Sequence, residues 1–138
     1  MVKRRRGSRR AVVRRPATAR HTRFDVLVSR ALERIPEPFA SRLREVAVII
    51  DDEPSAELRR LERLGPDEML YGIFEPADAE WGSGWIREPD RIRIFRLPLE
   101  EDFPDPEDLA EEVRITVMHE LAHQLGIDDE RLGELGLD

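Results

Sequence analysis

His119, Glu120 and His123 stand in the order His-Glu-x-x-His, and the chain continues through Gly126 to Asp128 and Asp129. Two histidines four apart on a helix lie one turn apart on the same face, so both imidazoles can reach a single metal ion. Glu120 is one step round the helix, where a carboxylate can take a proton from water that the metal activates. Gly126 adopts a left-handed conformation at almost no steric cost, so the helix can end there and the chain can double back. The returning segment offers Asp128, Asp129, Glu130 and Glu134 as carboxylates. Three protein ligands with a fourth position left to water is the pattern of a catalytic zinc rather than a structural one. Cobalt, manganese or nickel can take the same donors in vitro. A buried helix that merely carries two satisfied histidines would need neither the helix-ending glycine nor a carboxylate three residues beyond it.

The third ligand is chosen among the four carboxylates by what else each must do. Asp128 stands where an N-cap belongs, so the free amides of a following helix compete for its oxygen. Asp129 falls at the third-ligand spacing, six residues after His123, and its short side chain can be held firmly. Glu130 is turned away by the helical step. The spacing therefore predicts Asp129, with Glu134 as runner-up.

At these residues the chain resembles the small bacterial zincin-like metallopeptidases, whose motif is HExxHxxGxxD followed closely by arginine. The stretch HELAHQLGIDDERLGELG (119–136) carries the resemblance, supported upstream by VAVIIDDEP (46–54), LYGIF (70–74) and PDRIRIFRLPLE (89–100). It covers residues 24–138. It implies an α+β, minimal zincin fold, a small twisted sheet packed on the HExxH helix, with zinc held by His119, His123 and Asp129. The implied activity is hydrolysis of peptide bonds with Glu120 as general base, on a peptide or protein substrate in extended conformation. In zincins the strand above the active-site helix pairs with that peptide through main-chain hydrogen bonds, and the resemblance gives this role to residues 91–96. An ordinary arginine-protected sheet edge is the plainer account of the same residues. The family pattern leads one to expect tyrosine at the fifth position of LYGIF, where this chain has Phe74. Tyr71, Arg131 and the strand arginines remain as candidates to stabilise a developing oxyanion. A second functional reading is a zinc-binding scaffold without turnover, acting as an interaction or regulatory module; chelator-sensitive cleavage of peptide or casein separates the two.

The elements that must position these groups follow from periodicity. Phe24, Leu27, Val28, Ala31, Leu32 and Ile35 recur at helical spacing until Pro36, and residues 37–43 can add one short turn. A Val/Ile-rich run over 45–51 predicts a buried strand, Ser55 caps a helix through about Leu64, and 69–74 predicts a second strand. Residues 75–90 read as a Gly/Pro-punctuated loop holding both tryptophans, Trp81 and Trp85. Charge and bulk alternate from Arg91 to Arg96, as on a half-exposed strand. Asp105 and Pro106 open the long helix, which is apolar almost all round from Val113 to Leu125, and a last short helix runs over 129–135.

Composition sets the outer limits. A chain of 138 residues with 40% hydrophobic and 38% charged residues suits one globular domain. The absence of cysteine excludes disulfides and thiolate-bound zinc and fits a reducing, cytoplasmic setting. No apolar run approaches the ~20 residues that span a bilayer, so no membrane partner is expected. The net charge of −7 hides a division, since residues 1–23 hold ten of the 23 basic residues and none of the 30 acidic ones, leaving −17 on the rest. Residues 1–23 read as a disordered basic arm. Ser8-Arg9-Arg10 has no apolar stretch after it, so no export signal is expected. Nucleic acid is a possible but disfavoured partner of the arm, which has no interleaved aromatic residues and no binding fold around it.

Overall fold

The computed structural model describes residues 3–6, 23–77 and 89–136. Strand β1 (Lys3–Arg6) is followed by α1 (Arg23–Glu33), α2 (Phe39–Leu43), β2 (Val46–Asp51), α3 (Ala56–Leu61) and β3 (Glu68–Glu75). Then come β4 (Asp90–Phe95), α4 (Arg96–Asp102), α5 (Pro106–Gln124) and α6 (Asp129–Glu134). The four strands form one mixed sheet in the order β1-β3-β4-β2. The α+β class and the small sheet packed on the HExxH helix are as the sequence leads one to expect.

β4 lies in the middle of this sheet, parallel to β2 (Ile50 opposite Ile94) and antiparallel to β3 (Gly72 opposite Ile94). This corrects the expectation that residues 91–96 form an exposed edge. Alternation of arginine and bulk reports that a strand has two different faces, and says nothing of what lies beside it. Ile92 and Ile94 are fully buried on one face. On the other, Arg93 binds Asp51 of β2 at 2.7 Å and Glu75 of β3 at 2.6 Å, so the arginine ties both neighbouring strands together.

Residues 3–6, part of the segment read as a disordered arm, pair antiparallel with β3. Main-chain hydrogen bonding to a free strand edge needs no apolar side chain, so hydrophobic pattern is blind to it. The remainder of that arm as far as residue 22, and the Trp81 and Trp85 part of the predicted loop, lie outside the described residues.

One apolar core runs from Phe24 and Val28 of α1 through Ile92, Ile94 and Leu99 to Val113, Val117 and Leu121 of α5 and Leu132 of α6. A smaller cluster of Leu70, Ile73 and Phe95 packs with Leu58 and Leu64 near α3. Leu61 of α3 is 71% exposed. Among the described residues no helix is long and apolar enough to cross a membrane.

Candidate metal centre

Helix α5 carries the site, and its start is fixed locally. The Asp105 carboxylate accepts from the N–H groups of Glu107 (2.8 Å) and Asp108 (3.2 Å), Pro106 fills the first turn, and two acidic side chains face the positive end of the helix. Val113, Val117, Leu121 and Ala122 bury this helix deeply. It passes close to the sheet at Gly72, where an added Cβ would lie 2.8 Å from the Thr116 methyl carbon and 3.1 Å from the Arg93 carbonyl oxygen. Glycine is needed there so that helix and strand can touch.

One turn beyond Thr116 come the motif residues. The His119 and His123 rings stack with centroids 4.7 Å apart and planes 19° apart, as the i, i+4 relation requires. Glu120 beside them is 3% exposed. Burial pushes its carboxyl up to about 7, while a bond from the Phe74 main-chain N–H acts in the opposite direction. The His123 imidazole is held below its ordinary value chiefly by burial, with a further push from His119 and an opposing pull from Asp129.

The helix ends as the glycine dictates. Gly126 has φ of +80°, and the Ile127 N–H bonds back to the Ala122 carbonyl at 2.9 Å. Ile127 packs on the core, so the chain turns inward. The Asp128 carboxylate caps α6 by accepting from the Arg131 N–H at 2.9 Å. Asp129, the first residue of α6, then faces the histidines. Its Oδ1 lies 3.0 Å from His123 Nε2 and 3.9 Å from His119 Nε2. Leu132, fully buried, pins α6 to the core and thereby holds Asp129 in place.

Among the described residues, His119, His123 and Asp129 are the group whose ligand atoms converge, all within 4.8 Å of one another. A tetrahedral ion with bonds of about 2.0–2.1 Å has its donors roughly 3.3 Å apart. The two distances from Asp129 bracket that value, and two imidazoles with a carboxylate are donors that zinc accepts, so the residues fit the metal. Glu134, the runner-up, pairs instead with Arg131 at 2.6 Å.

The candidates for an oxyanion donor are engaged elsewhere. The Tyr71 hydroxyl bonds to Asp102, and its ring meets Phe103 edge-on. Arg93 is held by Glu75 and Asp51, and Arg96 by Asp52 and Glu100. Gly72, Thr116 and the Phe74 amide, which lie against Glu120's part of the helix, fall outside the HExxH motif. A glycine inside a strand pattern was the available signal for the close approach; no signal marks a main-chain amide three elements away from the carboxylate it binds.

A family model described as zincin-like metallopeptidase matches residues 43–137. No curated protein matches the chain.

Proposed function

The chain belongs to the zincin-like metallopeptidases, and from that premise we propose that it is a zinc-dependent peptidase in which His119, His123 and Asp129 hold the ion and Glu120 is the general base. The observation that carries the reading is the convergence of these three donors next to a buried carboxyl pushed up to about 7. Zinc held by them supplies a Lewis acid that acidifies water and polarises the scissile carbonyl.

The protein's own groups do the rest. Burial raises the Glu120 carboxyl in the metal-free chain and the charge of a bound ion would lower it again; a carboxylate beside metal-held water can both accept a proton and release it. It takes the proton from the attacking water and passes it to the leaving amine. The Phe74 N–H of β3 orients its carboxylate, and its burial limits the access of bulk water to the proton. His119 and His123 are locked by their helix, whereas Asp129 depends on the turn at Gly126 and the packing of Leu132.

The test separates metal binding from chemistry. Glu120→Gln is nearly isosteric and removes no ligand, so the variant should keep about one zinc per chain. Chelator-sensitive cleavage of casein or a peptide library, measured for the wild type, should fall by a factor of roughly 10² or more in that variant. Full activity in Glu120→Gln would overturn the general-base assignment.

A further inference from the structure

The outer edge of β3 runs beside the metal centre. Gly72 touches Thr116 of α5, and two residues further the Phe74 N–H bonds to Glu120. Progress along β3 from Gly72 to Phe74 is therefore progress along α5 toward the HExxH residues. On the side away from β4, this stretch has a neighbour: β1 pairs antiparallel, with Lys3 opposite Gly72, Arg4 opposite Leu70, Arg5 opposite Met69 and Arg6 opposite Glu68. Followed toward the start of the chain, β1 runs from Glu68 to Gly72, which is the direction of the site. An extended peptide entering a hydrolytic centre by strand pairing needs such an edge, in such a direction.

We propose that the N-terminal strand Lys3–Arg6 is a resident but displaceable occupant of the outer edge of β3, and that the segment which displaces it is basic and extended. That this segment is a substrate rests on the peptidase reading; the occupancy of the edge does not. β1 is a run of four basic residues with no apolar residue among them. What holds them is the ladder of main-chain hydrogen bonds and the field of a body carrying −17, while residues 1–23 carry +10. The register shifts between Lys3 and Arg4, as in a strand whose pairing no hydrophobic face enforces. Such a strand is easily exchanged for another of the same chemistry, and salt weakens its hold. It shields the edge against pairing with other chains and raises the threshold for weak peptides, because a tethered competitor acts at an effective concentration of order millimolar.

The experiment uses the full chain and two variants, Arg4→Pro/Arg5→Pro and Arg4→Glu/Arg5→Glu/Arg6→Glu. Neighbouring strand residues send their N–H groups to opposite edges, so one of the two prolines removes a ladder bond in either register. The glutamate variant keeps every amide and reverses the charge. Hydrogen exchange over residues 68–75 should speed up in both variants, with β2 and β4 unchanged. A peptide with the sequence of residues 1–8, labelled at its C-terminal end, should bind both variants at least about tenfold more tightly than the full chain, by release of the tethered competitor. A peptide with glutamate in place of its lysine and arginines should bind neither. Unchanged exchange of β3 in both variants, or equal binding of the labelled peptide to all three chains, would overturn the occupancy. Equal binding of the basic and acidic peptides would overturn the selectivity. None of these measurements requires turnover, so a chain that docks the peptide yet cleaves nothing would refute the peptidase reading and leave the docking edge standing.

Discussion

Gly72→Ala tests the contact that sets Glu120 against the sheet. The new Cβ would stand 2.8 Å from the Thr116 methyl carbon and 3.1 Å from the Arg93 carbonyl oxygen. Carbon atoms in good contact sit at roughly 3.5–4.0 Å, so about 1 Å of separation must be found. The carbonyl belongs to β4, whose Arg93 and Ile94 pair with Ile73 and Gly72, and it cannot retreat without breaking that ladder. α5 must therefore move away from β3. Overpacking of this kind costs about 1–3 kcal/mol, which for a domain of this size lowers the melting temperature by roughly 4–12 °C. The same movement lengthens the bond between the Phe74 N–H and Glu120, and a misplacement of ~1 Å in a catalytic group costs on the order of 10² in rate. Thr116→Ser removes the offending methyl and keeps the hydroxyl. Denaturant melts of both single variants and the double variant should show the pair coupled, with the double variant more stable than the sum of the singles by ~0.5–3 kcal/mol. If Gly72→Ala melts with the wild type, or if Thr116→Ser relieves none of its cost, the close approach does not position the helix.

Asp129→Ala should weaken zinc binding at least tenfold in a competitive titration, on the scale by which lost metal-site interactions are felt, whereas Glu134→Ala should leave it nearly unchanged; the reverse order would move the third ligand to Glu134. Leu132→Ala should cost about 2–5 kcal/mol as a fully buried leucine, and should lower zinc affinity through the loosened α6; an unchanged affinity in the folded variant would show that Asp129 is held by other means. In the metal-free chain Glu120 is raised from 4.5 to about 7, so the folded state binds the extra proton between those values and stability should fall as pH rises through that window. The lowered His123 acts in the opposite sense, losing stability as pH falls, so the quantity to measure is the difference in melting temperature between wild type and Glu120→Gln. A difference that does not vary between pH 4.5 and 7 would show that the Glu120 carboxyl is not raised by burial.

The features legible in the sequence are those whose physics closes within a few residues. The i, i+4 histidines share a helix face because of helical pitch alone, and the stacked rings follow from it. Asp105 caps α5, Pro106 starts it, Gly126 ends it with positive φ, and Asp128 caps α6, each through hydrogen bonds or backbone freedom internal to one turn. These local signals left Asp129 as the carboxylate facing back toward the histidines. Other features depended on what lies beside an element in space. The Arg/Ile alternation of β4 specified two faces, yet only the assembled sheet placed β3 and β2 on both its sides. Arg96–Asp102 is helical although Pro98 stands within it, since proline is tolerated in a first turn, and Arg96 is anchored by Asp52 from a distant segment. The pairing of Lys3–Arg6 with β3, the closeness of Gly72 to Thr116 and the Phe74 amide on Glu120 are likewise contacts between remote segments. Sequence determined which side chains can hold a metal and in what order, because helix geometry is local. Tertiary structure decided what surrounds them, because burial, strand order and the raised Glu120 arise only when distant segments exclude water together.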